Sequence, residues 1–422
     1  MTYTFIDDSD KKKSLASCNK QIKDCEVLIA SDRFYERLVD NLLRLGIKNF
    51  SNGIKKFSER LNAYFASSNK KIGLICDDFS SQKHFGSIAE ELSRMDFEIF
   101  YLKLFGSHEY ETDLNNKNEL LIVSDFLSYL NFFSIAIGTG WCYVLHREVK
   151  YINLFSCYYM PNFHSYYHTK EHLGRIAGHY EIMSFMNYYI VCSNKRSYEK
   201  FVEVFEKNNG HKERLLRLGY PSLDVGVELY EKQQKHSEDT IIIPAVVTNE
   251  LLKEFTEDLI NALLDKTQYR ILYKTHNGHP ELFKLEKQFC EQWKGRRNFV
   301  FYSEPNLTTE ELKRSITLIE SRSSLLYTYP LITGKPSIIA YPDSKWITEN
   351  PNIEDNFYEE KLQIKAFCIS DILDIIKCLT NEEFSLKRKQ MIEDYRKNDA
   401  YCFGESSKNI ANFINEYFRK YL

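Results

Sequence analysis

The polar segment Glu320-Ser-Arg-Ser-Ser324 stands between two apolar runs, residues 316–319 and 337–340. Hydroxyls and backbone N–H groups that gather where a helix begins form a binding site for phosphate. The pattern predicts a strand, a phosphate-sized turn, a helix closed by Gly334-Lys-Pro336, and a second strand. This is half of a nucleotide-binding Rossmann-like unit. We therefore expect an activated, phosphate-bearing donor to contact Glu320, Ser321, Arg322, Ser323 and Ser324.

A second group, Lys274, His276 and His279, follows directly on a predicted strand at residues 269–273. A donor that carries a diphosphate needs cations here, because negative charge grows on the leaving group as its phosphate bond breaks. Histidine can also exchange a proton near neutral pH. We expect His276 to be catalytic and Lys274 and His279 to bind the donor. The alternative is that both histidines cap a helix and fill a loop.

The turn Gly219-Tyr-Pro-Ser-Leu-Asp224 lies at the junction of two halves of the sequence. It predicts that Asp224 accepts a hydrogen bond from a substrate hydroxyl or acts as a base, with a plain helix cap as the alternative. Three histidines at four-residue spacing, His164, His168 and His172, invite a metal site. We predict no metal there, because no carboxylate or thiolate cluster accompanies them and Pro161 disturbs the start of the helix.

Composition narrows the class of protein. Lysine plus arginine number 56 against 59 acidic residues, a formal charge of −3, which disfavours a nucleic-acid partner. Ten cysteines without CxxC pairs and an amino terminus without a secretion signal predict a reduced, cytoplasmic protein. Short basic clusters at residues 11–13, 70–71 and 294–297 could touch an anionic membrane surface from the cytoplasmic side. The uncharged window 126–145 predicts a helix end, a buried strand and a glycine turn rather than a membrane span.

Apolar runs predict a buried strand at residues 72–76 and a strand at 240–244, and the periodicity of the last third predicts helices at 370–379, 384–397 and 406–421. Strands and helices alternate along most of the chain, which predicts an α/β fold with parallel sheets. We expect a helical prefix at 1–68, with a strand at 26–30 and helices at 32–45 and 50–65, then a Rossmann-like acceptor domain at 69–230. After a polar hinge at 226–239, a Rossmann-like nucleotide-donor domain occupies 239–400, and a terminal helix at 401–422 packs back. This arrangement predicts the GT-B architecture, in which two such domains face each other across a cleft.

Several compact motifs are missing from the sequence. No GxGxxG fingerprint with a following acid is present, so use of NAD is unsupported. Walker, HExxH and GxSxG signatures are also missing, which disfavours P-loop proteins, zinc proteases and α/β-hydrolases. A DxD metal motif of GT-A enzymes is not evident at the end of any predicted strand. We expect no tightly bound cofactor.

The segment from Tyr188 to Val225, with Leu-Gly-Tyr-Pro-Ser-Leu-Asp-Val, resembles the CDP-glycerol glycerophosphotransferase family of teichoic-acid and capsule polymerases. Tyr-Lys-Thr-His276 resembles that family's Arg-x-His-Pro element. Residues 320–324 and 334–336 resemble its Asp-Tyr-Ser-Ser and Gly-Lys-Pro elements, and 403–408 resembles the segment that opens its final helix. The likeness covers about residues 70 to 420, in order.

The resemblance implies that a cytidine nucleotide-activated donor is the substrate and that the acceptor is a hydroxyl of a polysaccharide or lipid-linked polymer. His276 and Lys274 would then stabilise phosphate charge, Ser323 and Ser324 would bind phosphate oxygens, and Asp224 or His164 would assist the attacking hydroxyl. The family's first-domain histidine is replaced here by the segment Phe155-Ser-Cys157. His164 is the nearest substitute, and the chain is a divergent member on this interpretation.

Two alternatives stay open at this point. One keeps the GT-B fold but uses a CMP-activated acidic sugar or another nucleotide sugar, so that the reaction becomes glycosyl transfer. The other is a non-catalytic partner in polysaccharide assembly, which the missing histidine favours.

Overall fold

The computed structural model describes residues 27–29, 35–44, 48–66, 70–76, 79–104, 118–122, 124–139, 145–154, 158, 188–207, 210–245, 250–275, 280–321, 323–342, 346 and 358–421. The first part holds two short strands, β1 (Val27–Ile29) and β2 (Phe50–Asn52), which pair in parallel. Two helices accompany them, α1 (Tyr35–Arg44) and α2 (Gly53–Tyr64).

The predicted helix at residues 50–65 was wrong in its first three residues. These residues pair with β1 instead, and the helix begins at Gly53. The side chain of Asn52 accepts a hydrogen bond from the backbone N–H of Lys55 at 2.9 Å, which satisfies one of the unpaired donors of the first turn. The asparagine cap therefore marks the true start of the helix.

A seven-stranded sheet follows, with its strands in the order β5-β4-β3-β6-β7-β8-β9. The inner strand β3, third in this order, is buried at all six positions, as expected of a strand covered on both faces. The predicted buried strand at residues 72–76 is confirmed. The strands are β3 (Lys71–Cys76), β4 (Glu98–Leu104), β5 (Glu119–Ile122), β6 (Ile135–Gly138), β7 (Lys150–Asn153), β8 (Tyr188–Val191) and β9 (Leu215–Leu216).

A six-stranded sheet has the order β12-β11-β10-β13-β14-β15, and every neighbouring pair runs parallel. The strands β10, β11 and β12 follow one another from the centre of the sheet to one edge, and β13, β14 and β15 follow one another to the other edge. This is the strand order of a Rossmann sheet. The strands are β10 (Thr240–Pro244), β11 (Arg270–Lys274), β12 (Phe299–Tyr302), β13 (Ser315–Glu320), β14 (Ser337–Ala340) and β15 (Gln363–Ala366).

Ten further helices accompany these sheets in the described residues. They are α3 (Ile88–Ser93), α4 (Lys195–Lys207), α5 (Pro221–Lys232), α6 (Glu250–Lys266), α7 (Pro280–Cys290), α8 (Thr309–Arg314), α9 (Leu325–Thr333), α10 (Ile369–Leu379), α11 (Glu382–Asn398) and α12 (Ser406–Tyr421). The predicted hinge at 226–239 was wrong in its first half, because α5 continues to Lys232.

The six-stranded sheet is covered on both faces. Alternate residues of β10 enter two different cores, with Ile242 on one face and Ile241 and Ile243 on the other. The first core packs against α5, α9 and α11, and the second against α6 and α10. A strand that is buried on both faces is apolar along an unbroken run of the sequence, which is why β10 could be predicted from the sequence. The predicted α/β class with two Rossmann-like parallel sheets is confirmed.

The chain divides into two compact units. One holds residues 1–79, 96–152 and 422, and the other holds residues 80–95 and 153–421. Within the second unit, α12 packs against α3 and α5, and Ser87 donates its backbone N–H to the Ser407 hydroxyl at 3.3 Å. Across the described residues, no helix is both long enough and apolar enough to cross a membrane.

Candidate functional site

The strand order of the six-stranded sheet reverses between β10 and β13. These strands are neighbours, although β11 and β12 come between them in sequence. Ligands of open parallel sheets bind outside the carboxyl ends of the strands at such a switch point. Ala245 follows β10, Ser321 follows β13, and Lys274 ends the adjacent strand β11. Two of the predicted groups therefore lie at the same edge of one sheet.

The strand register gives their separation. Lys274 is paired with Pro244, and Leu318 is paired with Ile242, so Glu320 stands level with Pro244. Neighbouring strands lie about 4.8 Å apart, which puts the Cα atoms of Lys274 and Glu320 about 10 Å from each other. This span suits a diphosphate with a cation on one side and a polar turn on the other.

The turn after β13 is held by its own polar groups. The Ser321 hydroxyl donates to the carbonyl of Ala340, the last residue of β14, at 2.6 Å. The Glu320 carboxylate accepts the backbone N–H of Ser321 at 2.9 Å. Both side chains are buried. Their contacts fix the path of the backbone, so that the next residues enter α9 from a defined position.

Ser323 and Ser324 lie at the start of α9 and are half-buried. The Ser323 hydroxyl accepts the backbone N–H of Leu325 at 3.1 Å, whereas the Ser324 side chain makes no capping hydrogen bond. The N–H groups of Leu325, Leu326 and Tyr327 already donate to oxygens of the two serines. The start of α9 therefore offers phosphate oxygens the positive end of the helix dipole and the serine hydroxyls.

Lys274 is 8% exposed, and its ammonium donates to the carbonyl of Thr275 at 2.5 Å. Burial lowers the pKa of Lys274 to about 8. The carboxylates of Glu286 and Glu304 oppose this shift, whereas the positive charge of Lys83 adds to it. A buried ammonium beside a second cation is stabilised by an incoming anion, because the anion offsets both the desolvation and the repulsion.

Lys83 was missed by the sequence analysis. It lies in the short 3-10 segment Phe79–Phe85, and it is exposed. Its neighbour His84 is 6% exposed, and its Nδ1 lies 2.6 Å from the Tyr220 hydroxyl. The available signal was the position of this segment after β3, since residues at the carboxyl end of a parallel strand often contact ligands.

Solved structures of known enzymes share this architecture. The wall teichoic acid polymerase TagF matches with a TM-score of 0.60 at 16% identity, over 92% of this chain and 97% of that chain. The UDP-GlcNAc 2-epimerase of Methanocaldococcus jannaschii, in complex with UDP-GlcNAc and UDP, matches with a TM-score of 0.56 at 11% identity, over 82% of this chain and 99% of that chain. The chain has the GT-B fold. A structure of S. aureus MnaA with UDP matches at 0.57 and 10% identity, over 83% of this chain and 97% of that chain. No family model and no curated protein matches the sequence.

The turn before α5 is joined to α9 through tyrosines. The Tyr158 ring lies 5.8 Å from the Tyr220 ring and 6.1 Å from the ring of Tyr327, which belongs to α9. All three are buried. The Ser193 hydroxyl donates to the Tyr158 carbonyl at 2.5 Å. The Gly-Tyr-Pro turn and the helix that begins at the two serines are thus parts of one packed core.

Asp224 lies in the first turn of α5, and its carboxylate caps another helix. Its oxygens accept the backbone N–H groups of Ser406 at 3.1 Å and Ser407 at 2.7 Å, where α12 begins. Burial raises the pKa of the Asp224 carboxyl, and the hydrogen bonds from Ser407 and Ser406 oppose that shift. These contacts are those of a helix cap, the alternative to a role as base or as substrate ligand.

The remaining predicted residues, His164, His276, His279 and Arg322, lie outside the described residues. Their roles stay predictions. The described part of the chain contains no group of three or more histidine, cysteine, aspartate or glutamate side chains that could hold a metal ion.

The Asp224→Asn substitution distinguishes a helix-capping role of Asp224 from a role as general base. Since Asp224 caps α12, the Asp224→Asn substitution should lower the free energy of unfolding by about 1 kcal/mol. One backbone N–H loses its acceptor, and the negative charge that favours the start of the helix is removed. Turnover should fall less than about tenfold, since loss of a general base costs about 10²–10⁴ in rate. Denaturant unfolding and initial rates measure both.

Asn381→Ala is the matched control, because the Asn381 side chain caps α11 by accepting the Phe384 N–H at 3.0 Å. It should lower stability by a similar amount and leave turnover unchanged. A loss of turnover in Asp224→Asn within the range for a general base, with unfolding unaffected, would assign Asp224 to the reaction instead.

Proposed function

We propose that this chain is a GT-B transferase that moves a polyol phosphate of the glycerol-phosphate type from a CDP-activated donor to a hydroxyl of a cell-surface polysaccharide or teichoic-acid-like acceptor. The observation that carries this proposal is the pairing, at one switch point, of a buried lysine with a helix start bearing two serines. Such a pairing suits a diphosphate better than an uncharged ligand.

In the proposed reaction the acceptor hydroxyl oxygen attacks the phosphorus that carries the polyol. A new P–O bond forms to the acceptor, the bond to the bridging oxygen breaks, and CMP leaves with the electron pair of that bond. The hydroxyl proton passes to a general base, for which His164 is the candidate, because both carboxylate oxygens of Asp224 already accept N–H groups at the start of α12. Lys274, together with His276, stabilises the charge that develops on the leaving phosphate. Ser323, Ser324 and the start of α9 hold phosphate oxygens.

Support for a cytidine donor comes from the motif resemblance and from the TagF neighbours, one of which is a variant soaked with CDPG. The 2-epimerase and MnaA neighbours contain UDP, which favours a second candidate, glycosyl transfer from a nucleotide sugar. We propose that the acceptor polymer is lipid-linked and is met at the cytoplasmic face of the membrane, because the motif resemblance implies such an acceptor and the short basic clusters suit an anionic surface.

Ligand-induced stabilisation distinguishes the nucleotide classes. CDP and CMP are expected to raise the melting temperature more than UDP or GDP at equal concentration, since a ligand at 100 times its Kd adds about 2.7 kcal/mol to the folded state. Mass spectrometry of products from mixed donors and a lipid-linked acceptor pool then names the transferred group. Tighter binding of UDP or GDP would reject the cytidine donor, and nucleotide binding without any turnover would favour the non-catalytic alternative.

The role of the serines is tested in the same assay. Ser323→Ala with Ser324→Ala should remove most of the stabilisation by CDP. Ser87→Ala is the matched control, because Ser87 also precedes a helix without a side-chain capping bond. It should respond to CDP as the wild type does. An unchanged response in the double variant would remove the phosphate-binding role of α9.

A further inference from the structure

A cavity of about 580 Å³ opens at the opposite edge of the six-stranded sheet. It lies where β13 and β14 begin, at Ile316 and at Gly334-Lys335-Pro336, whereas the candidate donor site lies where the strands end. We call it the amino-edge cavity. Lysines, two glutamates and several apolar side chains make up most of its remaining lining.

The floor of the amino-edge cavity is already neutralised. The Lys335 ammonium pairs with the Glu238 carboxylate at 2.9 Å. It also donates to the carbonyl oxygens of Lys313 at 3.1 Å and Ser315 at 2.5 Å. Lys335 is largely buried, and burial lowers its pKa. Its bonding is complete within the protein, so any ligand must use other cations.

Three further lysines supply them. Among the residues that the structure describes, no carboxylate lies within ion-pair distance of Lys235, Lys313 or Lys389. The Lys313 ammonium instead lies 3.9 Å from the centre of the Tyr230 ring. Glu382 is the one lining carboxylate left after Glu238 is paired. Lysine charge therefore exceeds acidic charge in the cavity.

Part of the remaining wall is apolar, with Ile316, Pro336, Leu379 and Leu386, and the hydroxyls of Thr333 and Ser385 lie beside it. Cavities of about 300–1,000 Å³ with apolar walls and a few convergent polar groups are typical sites for small ligands. From this combination we infer that the amino-edge cavity binds a small molecule with a phosphate at one end and an apolar or ring-shaped body. The site is separate from the donor site, and the inference does not depend on the proposed function.

Phenyl phosphate is the probe, because it carries both parts and no nucleoside. In the 422-residue chain it should protect Lys313 and Lys389 from acetylation, as measured by mass spectrometry. Lys387 should stay reactive, since it is exposed on the same helix but does not line the cavity. Inorganic phosphate should protect the same lysines only at higher concentration, because it lacks the apolar body.

Calorimetry on variants completes the test. Lys313→Gln with Lys389→Gln should weaken phenyl phosphate binding at least tenfold, and Lys387→Gln should leave it unchanged. The Lys274→Met protein should still bind the probe, which separates this site from the donor site. Equal weakening by Lys387→Gln, or no protection of Lys313 and Lys389 in the wild type, would overturn the inference.

Discussion

Replacing Lys274 with methionine is expected to lower kcat/KM for the donor by a factor of about 10²–10³, the usual loss when one group that stabilises transition-state charge is removed. Methionine keeps the length and the buried volume but has no charge. Lys274 is the last residue of β11, beside the switch point. Its Cα atom is level with that of Glu320 and about two strand spacings away from it. Steady-state kinetics with the donor identified by mass spectrometry measures the effect.

Lys365→Met is the matched control for this substitution. Lys365 lies in β15 of the same sheet, and burial lowers its pKa as well. Its strand, however, is separated from the switch point by β14. We expect kcat/KM to stay within about threefold of wild type in this variant, because surface and near-surface changes away from the site are usually mild. Equal losses in the two variants would point to stability and not to phosphate charge.

The pH dependence of kcat/KM also tests the role of the Lys274 charge. Burial lowers the pKa of Lys274 to about 8, so the free enzyme loses this positive charge as the pH rises through about 8. Because kcat/KM reports ionisations of the free enzyme, it should fall about tenfold per pH unit above that point. Lys274→Arg keeps its charge throughout, so its falling limb should move to higher pH. A falling limb at the same pH in both proteins would exclude Lys274 as its cause.

Elements with unbroken apolar runs were predictable from the sequence, because a strand covered on both faces must be apolar at every position. Residues 72–76 and 240–244 are such runs, and both are buried strands. The periodic terminal helices were predictable for a similar reason, since one apolar stripe faces the core. The start of α2 was not, because strand β2 depends on pairing with residues 27–29.

The candidate site was predictable only where position along a strand decides it. Lys274 and Glu320 come directly after apolar runs, so their place at the carboxyl edge follows from the strand alone, and Ser321 is the next residue. Lys83 and His84 also follow an apolar run, residues 72–76, but six residues intervene before Lys83, so the strand alone does not fix their place. His84 meets Tyr220, which is 136 residues away in sequence, and only tertiary packing brings them together. Gly334-Lys-Pro336 is close to the two serines in sequence but distant from them in the fold, because α9 runs from the serines to the opposite edge of the sheet.

The Gly219→Ala substitution is expected to destabilise the fold by about 3–4 kcal/mol. Gly219 has φ of +88°, a conformation that costs a residue with a Cβ about 1–2 kcal/mol. A Cβ there would also overlap the Ser406 hydroxyl and the Tyr401 carbonyl. That hydroxyl accepts the Tyr220 N–H at 3.0 Å, so relief of the overlap breaks a buried hydrogen bond.

Gly295→Ala isolates the effect of the overlap. Gly295 has φ of +94°, and a Cβ added to it would meet no heavy atom of the described residues within 4 Å beyond its own chain neighbours. This variant should lose only the conformational part, about 1–2 kcal/mol. The difference between the two variants, measured by denaturant unfolding, should be about 2 kcal/mol, as for overpacking of a filled site. Equal losses would mean that α12 can shift away from the turn. In that case the cap by Asp224, which bonds the same end of α12, could not be rigid either.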